Sequence, residues 1–462
     1  MEAESGHDDG EDAVLTGWGR VAPSRARVVA LRDDHQLRAL GEESKHRGIL
    51  ARGLGRSYGD AAQNAGGVVV DATAHAAIRS IDIPAGTVRV EGGVSLDALM
   101  RALLPFGLFP AVTPGTRHVT VGGALAADIH GKNHHQDGGF SDYITRASLW
   151  TPNGVVEIGP DHDAELFAAT AGGMGLTGIV LDATLKLLPV ETTRIAVDTE
   201  RARDLDDLLA RMETGDGDYR YSVAWIDCLA RGARLGRGVL TRGDHARLDD
   251  LPRADRAEPL AFSPRARLVA PPWAPSGLLN PLSVRAFNEL WFRKAPRGRS
   301  RTVVPLHAFF HPLDGVDGWN RLYGPRGFVQ YQFVVPFGQE AALRRAIERL
   351  SVAGAASFLA VLKRFGPAGA GHLSFPSPGW TLALDLSVGS SGLAQLLDEL
   401  DDLVAEAGGR VYLAKDARLR AELVPIMYPR LDEWRAVRDR VDPDRLLRSD
   451  LARRLDLLGE RQ

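Results

Sequence analysis

Three glycine-rich segments, each beside a short apolar run, constrain this chain more than any other feature. They read "ARGLGRSYGD" (51–60), "PGTRHVTVGGALAADIHGKNHH" (114–135) and "GGMGLTGIV" (172–180). Glycine lets backbone approach a neighbour with no side chain between them. In the first segment Gly53, Gly55 and Gly59 follow the apolar run "GIL". Such a loop presents consecutive N–H groups able to cradle a pyrophosphate. The βαβ dinucleotide fingerprint is not met, because no long helix follows and no acidic residue closes the unit. Read alone, the loop is equally a surface turn. The chain holds 50 glycines in 462 residues, above the usual ~7%, and they cluster before residue 190. Three such segments in one domain point to a large ligand bound in an extended pose.

A chain of 462 residues is too long for one core, so two or three domains are expected. Residues 1–14 are acidic without an apolar stretch; they read as a disordered tail and not as a signal peptide. Residues 15–190 carry short strands at 66–73, 87–96 and 178–190. A hairpin turns at Asn153-Gly154, and helices at 96–107 and 163–173 end at glycine. This is an α+β pattern, not a run of βαβ units. Residues 191–410 change character: period-2 strands at 219–229, 327–337 and 380–388 alternate with helices at 340–354 and 392–409. A second sheet, suited to hold a substrate, is expected there. Inside it, residues 260–300 are rich in proline, arginine and apolar residues and read as a long mobile loop. Residues 428–458 read as a basic helical segment with a solvated face, interrupted at Asp442-Pro443.

Other classes are excluded or disfavoured. Net charge is −3, so no strong field draws nucleic acid. Cys228 is the single cysteine, which excludes internal disulfides and multi-cysteine metal sites. No apolar run is long enough to span a bilayer. His130 and His134 have the four-residue spacing of zinc ligands on a helix. Gly131 and Asn133 disfavour that helix, and no glutamate follows the first histidine, so no metal is expected.

The glycine segments, together with "LTGWGR" (15–20), "DIHGKNHH" (128–135), "SFPSPGW" (374–380), "YLAKD" (412–416), "YPRLDEW" (428–434) and "SDLARRL" (449–455), resemble flavoproteins of the vanillyl-alcohol oxidase type. The likeness is closest to the branch that forms the flavin subunit of an actinobacterial epimerase making the arabinose donor for cell-wall arabinans. It runs from about residue 15 to the end. It implies a two-domain FAD-binding fold with an antiparallel-sheet substrate domain, residues 411–462 returning to the FAD domain. It implies FAD, held without a covalent bond because "GRSY" at 55–58 lacks histidine and cysteine. The implied reaction is oxidation of the 2′-hydroxyl of decaprenylphosphoryl-β-D-ribofuranose to a ketone, the first half of an epimerisation. FAD-dependent oxidation of a soluble polyol or aldonolactone is the alternative.

Residue by residue, the resemblance implies FAD contacts from Ala51, Arg52, Gly53, Leu54, Gly55, Arg56, Ser57, Tyr58, Gly59 and Asp60. Further contacts fall to Gly115, Thr120, Val121, Gly122, Gly123, Ala127, Asp128, Ile129, His130, Ile179 and Tyr412. Lys415 matches the family lysine at the flavin N1/C2 edge and is the implied catalytic residue with His130. Tyr58, Lys132, Trp225, Gln332, Lys363, Phe365 and Ala383 are implied to line the substrate pocket, the lysines suiting a phosphodiester. From the residues alone, Lys415 reads as a surface charge, and Ile179, Trp225 and Phe365 fit core packing equally well. His134 and His135 have no implied role beyond shaping their loop. Two positions depart from the family: Ala383 stands where mycobacterial relatives carry a cysteine captured by nitroaromatic inhibitors, and Phe310 where a tyrosine is typical. The resemblance also implies a separate NADH-dependent reductase, an external acceptor such as a quinone, and peripheral work at the inner membrane. The family sits on the periplasmic side, whereas the missing signal peptide leaves the cytoplasmic face open.

Overall fold

The run "VVVD" at 68–71 has no polar alternation, the pattern of a strand covered on both faces. In the computed structural model, which describes residues 10–266, 268–272, 277, 280–389 and 391–459, it is one of the two inner strands of a small sheet. That sheet holds β1 (Glu11–Leu15), β2 (Ser24–Ala30), β3 (Ile49–Arg52) and β4 (Val68–Asp71) in the order β1-β2-β4-β3. β2 and β3 both run parallel to β4, while β1 is antiparallel to β2. Residues 11–14, expected in a disordered tail, thus form an edge strand paired to residues 25–28; residues 1–9 lie outside the described ones.

The second sheet is built from β5 (Ile78–Asp82), β6 (Thr87–Glu91), β7 (Leu108–Pro110), β8 (Ile144–Thr151), β9 (Gly154–Ile158) and β10 (Ile179–Pro189). Its order is β5-β6-β10-β8-β9, with β7 also on β10. All its pairs are antiparallel. The β8–β9 hairpin closes as its sequence predicts, Gly154 taking φ 125° where a side chain would strain the turn.

The third sheet contains β11 (Arg194–Ala202), β12 (Tyr221–Ile226), β13 (Gly238–His245), β15 (Ser300–Pro305), β17 (Phe328–Pro336), β18 (Ala360–Phe365), β19 (Gly379–Ser387) and β20 (Arg410–Val411). The order is β15-β11-β13-β12-β18-β19-β17-β20. A separate parallel pair joins β14 (Leu268–Val269) to β16 (Val316–Asp317). Helices Glu340–Val352 and Leu393–Glu406 bury Leu343, Ile347, Leu350, Leu397, Leu400 and Val404. Antiparallel ladders dominate the chain, so the α+β class stands. In the third sheet the ladder sets Gln332 opposite Ala383 and Ala383 opposite Val361. Directly paired residues share a face, and this row forms one wall of the cleft described below.

Two sequence readings need correction. Residues 281–294 of the expected mobile loop are a helix, Pro281–Lys294, started by Asn280, whose side chain accepts from the N–H groups of Leu282 and Ser283. The C-terminal segment is not a solvated helix either. Trp434 is buried and donates to the Ala169 carbonyl (3.0 Å), and Arg438 is buried against Asp442 (2.7 Å). The segment packs on the first sheet: the Ile49 N–H donates to the Leu446 carbonyl (2.9 Å), and the Ser24 hydroxyl to Asp450 (2.8 Å). Arg454 joins Asp60 (2.8 and 2.9 Å) to Asp416 (2.8 Å). No helix among the described residues is long and apolar enough to cross a membrane.

Candidate active site

All three glycine-rich segments meet at one cleft of about 350 Å³, closed by the third sheet and by residues 412–415. The loop 51–60 is held from below. Gly55 takes φ 63°, and a Cβ on Gly59 would lie 2.0 Å from the Asp416 carbonyl oxygen, so this loop touches the Lys415 segment backbone to backbone. The Tyr58 N–H donates to the Ala414 carbonyl (3.0 Å), and the Arg454 clamp binds both sides. The helix Val121–Ala126 starts at Thr120, whose hydroxyl accepts from the Gly123 N–H. A Cβ on Gly122 would sit 3.2 Å from the Gly92 carbonyl oxygen, so the start of this helix packs against the turn after β6.

These surfaces fit a dinucleotide-sized group pressed on backbone. A Cβ on Gly115 would meet no protein atom within 4 Å, and one on Gly175 only Leu50 Cδ1 at 4.0 Å; both glycines line the cleft. Among the described residues, the N–H groups of Gly55, Arg56 and Ser57 have no protein acceptor, which suits a pyrophosphate. Cys228 lies outside the cleft, buried with a raised thiol pKa. Gly115→Val is therefore expected to fold normally yet bind FAD at least about tenfold more weakly, the loss that an overpacking cost of 1–3 kcal/mol produces. The ratio of flavin to protein absorbance after gel filtration, with the melting curve of the apoprotein as control, checks this.

At one end of the cleft Lys415 Nζ lies 4.0 Å from the centroid of the Tyr58 ring. Burial pulls the Lys415 ammonium down to about 8, while Asp385 opposes the shift. Asp385 is buried and pushed up to about 7 by desolvation; it accepts from Gln330 Nε2 (2.5 Å) and faces the Tyr323 hydroxyl (3.4 Å). Neither Asp385 nor Gln330 was anticipated. The period of two along a strand was the available signal: Asp385 shares a face with Ala383, and Gln330 with Gln332.

Next to this group, Lys363 Nζ lies 3.1 Å from His130 Nδ1, and the Gln332 amide 3.0 Å from His130 Nε2 and 3.2 Å from the Thr381 hydroxyl. A neutral imidazole has one donor and one acceptor nitrogen. Gln332 Nε2 donates to the Thr381 hydroxyl and stands against His130 Nε2, so the ring is held between an amide on one nitrogen and the Lys363 amine on the other. Burial, and Lys363 beside it, hold the His130 pKa well below its usual value, so His130 stays neutral. Lys132 donates to the Phe309 carbonyl and lies 4.3 Å from the Phe309 ring centroid. Burial lowers Lys132 and Lys363 to about 7, with Lys132 and Lys415 adding to the effect on Lys363. Three buried amines thus share one cleft, and among the described residues Asp385 is the carboxyl that acts on one of them.

The structure brings most expected site residues together. Ala51, Gly53 to Tyr58, Gly115, Thr120, Gly122, Gly123, Ala127, Ile129, His130, Lys132, Ile179, Gln332, Lys363, Ala383, Tyr412 and Lys415 all line the cleft. Seven do not. Arg52 turns away to the carbonyls of Ala62 and Thr16 (both 2.8 Å); Gly59 and Asp60 serve the contacts with Asp416 and Arg454. Val121 is core. Asp128 is buried with Ser374 and the Ser141 N–H. Trp225 donates to the Phe358 carbonyl (3.1 Å), and Phe365 lies under His130, their ring centroids 4.7 Å apart. Phe310 lines the cleft inside a fully buried aromatic cluster with Phe109 and Tyr221. Trp18 and Met174, which belong to the motifs "LTGWGR" and "GGMGLTGIV" without an assigned role, and Gly92 also line it. His134 Nδ1 accepts from the Gly366 N–H (3.2 Å), and His135 Nε2 faces the carbonyls of Asp216 and Tyr219 (3.1 and 3.0 Å), so both tie the loop to the third sheet. A helical turn begins only at His134, and the described residues contain no cluster suited to a metal ion.

The FAD binding domain profile matches residues 26–159, and that of D-arabinono-1,4-lactone oxidase matches residues 388–455. The decaprenylphosphoryl-β-D-ribose oxidase of Mycolicibacterium smegmatis is 46% identical over 452 residues, spanning 96% of this chain and 97% of that protein. An uncharacterised Streptomyces coelicolor protein is 45% identical over 79% of this chain and 100% of its own length. Cytokinin dehydrogenase 7 of Oryza sativa subsp. japonica matches 30% of this chain at 32% identity, spanning 28% of its own length. With an FAD-binding profile over its first domain and near-half identity to that oxidase end to end, the chain belongs to the decaprenylphosphoryl-β-D-ribose oxidase family of FAD-dependent oxidoreductases.

Proposed function

We propose that the chain oxidises the 2′-hydroxyl of decaprenylphosphoryl-β-D-ribofuranose to the 2′-keto sugar. The carrying observation is the set of three buried amines, Lys132, Lys363 and Lys415, in one cleft with apolar walls. An anionic phosphodiester compensates their charge, and the apolar walls accept an isoprenoid. When bound, FAD supplies the hydride acceptor. Lys415 presents a cation toward the reacting sugar oxygen, fixed against Tyr58 and opposite Asp385. Lys363, in part a free amine near pH 7, takes the hydroxyl proton at Nζ. His130 orients Lys363 through Nδ1 and is itself locked by Gln332, so it acts as a positioning residue and not as a proton store. Lys132 faces the phosphate.

A soluble polyol or aldonolactone is the second reading, favoured by the lactone-oxidase profile over residues 388–455. That segment supplies Lys415 and the Arg454 clamp but not Lys132, Gln332 or Lys363. Anaerobic addition of farnesylphosphoryl ribose should bleach the yellow protein, and xylitol should not; the reverse pattern sinks the proposal. The pH dependence has a defined sign. The free-enzyme lysines lose protons above about 7 to 8, so capture of an anion weakens as pH rises. For a phosphorylated sugar kcat/KM should rise toward pH 7 as Lys363 gives up its proton and fall between pH 7 and 9 as Lys132 and Lys415 lose theirs, measured at constant ionic strength, and a flat profile would contradict the role of these amines.

The cleft takes one dinucleotide, so we infer that reduction of the keto product falls to a separate NADH-dependent protein. We assign reoxidation of the flavin to an external quinone and place the chain peripherally at a membrane, where a lipid-linked sugar resides.

A further inference from the structure

The helix Pro281–Lys294 has two unlike faces. Val284 and Asn288 are buried, and Asn288 donates to Asp227 (2.7 Å). On the other side Leu282 is 77% and Leu290 71% exposed, flanked by Phe287 and Trp291 at 41% and 44%. An amphipathic helix with leucines left in water is an interaction element without its partner. β14 adds Leu268 and Val269, also exposed.

Both pieces rest on the same aromatic cluster. Phe287 meets Phe358 edge-on at 6.0 Å, and Phe358 stacks at 6.0 Å on Tyr323. β14 pairs with β16, whose Val316 packs on the group of Tyr58, Trp319, Tyr323 and Phe328. Tyr58, Trp319 and Leu359, the neighbour of Phe358, line the cleft. The exposed apolar face and the cleft therefore share a wall.

Charge selects the partner. Between residues 281 and 301 the chain carries Arg285, Arg293, Lys294, Arg297, Arg299 and Arg301 against Glu289 alone, although the whole chain has net charge −3. Glu289 is already taken by Arg237 and Arg293, and Arg299 by Asp198; Arg285, Lys294, Arg297 and Arg301 are exposed. Exposed leucine and aromatic side chains among uncompensated cations match the boundary of an anionic bilayer.

We propose that the helix Pro281–Lys294 and β14 form the face by which the protein docks on an anionic lipid bilayer, with the substrate's isoprenoid reaching the cleft along the Phe287–Phe358–Tyr323 wall. This rests on the lipid-linked substrate proposed above. The holoenzyme should sediment with phosphatidylcholine vesicles that contain phosphatidylglycerol, and much less with phosphatidylcholine alone; salt should weaken the binding. The double variant Leu282→Ser/Leu290→Ser should bind the anionic vesicles at least about tenfold more weakly, about 1.4 kcal/mol. It should keep its FAD and its rate of flavin reduction by soluble farnesylphosphoryl ribose, but lose rate with vesicle-embedded substrate. Equal vesicle binding by variant and parent, or no vesicle binding while the same face captures a folded protein, overturns the proposal. Failure of soluble farnesylphosphoryl ribose to reduce the flavin would instead overturn the functional reading, whatever the vesicles show.

Discussion

Replacing Lys415 with methionine is expected to slow flavin reduction about 10²- to 10³-fold, the usual cost of removing one electrostatic donor from a dry site. Methionine keeps the length and apolar stem, so the Tyr58 contact and the fold survive. FAD should remain bound, because the glycine cradle and residues 51–60 are untouched. Stopped-flow bleaching under anaerobic conditions reads the rate, and the flavin spectrum reads occupancy. A rate within threefold of the parent would remove Lys415 from the chemistry. Asp385→Asn is a graded companion. It takes away the carboxyl that opposes the burial of Lys415, so the Lys415 pKa drops and the alkaline limb of the rate profile moves to lower pH.

The second large effect concerns the anion. Lys132→Met should lower kcat/KM for farnesylphosphoryl ribose by about 30- to 100-fold, the lower end of the 2–5 kcal/mol lost when one partner of a buried charge pair is truncated. Most of the loss should appear in KM, because Lys132 faces the phosphate and not the reacting carbon. The variant also has a signature that simple damage lacks. Lys132 helps to hold the Lys363 pKa down, so its removal should move the acid limb of the pH profile, set by the free Lys363 amine, upward. Unchanged kinetics, or a fall in kcat alone with the limb unmoved, would contradict the assignment.

The fold was legible where the local period was clear. The hairpin at Asn153-Gly154, the strand of "VVVD" and the alternating strands of the third sheet follow from side-chain parity and turn chemistry. The cleft was partly legible, because glycine loops declare themselves and the family motifs carried the lysines. Three features were hidden for physical reasons. Asp385 and Gln330 sit in strands whose inward face is known only once the sheet is assembled. The burial of Trp434 and Arg438 depends on packing against residues far earlier in the chain. The helix Pro281–Lys294 lies in a proline-rich stretch that reads as loop, since its exposed leucines blur the usual apolar stripe. Trp225 and Phe365 were read on the right strands, and the structure turns Trp225 to the Phe358 carbonyl and sets Phe365 under His130.

The Arg454 clamp has a consequence for how the protein comes into being. Arg454 grips Asp60, 394 residues earlier, and Asp416 beside Lys415. A ribosome-bound chain that has reached residue 410 already owns every glycine loop of the cradle, yet it lacks Tyr412, Lys415 and the arginine that fixes the loop 51–60. The cleft is thus assembled only once residues 412 to 454 have folded back on the first 180, so the pocket belongs to the whole chain and not to its glycine-rich part alone.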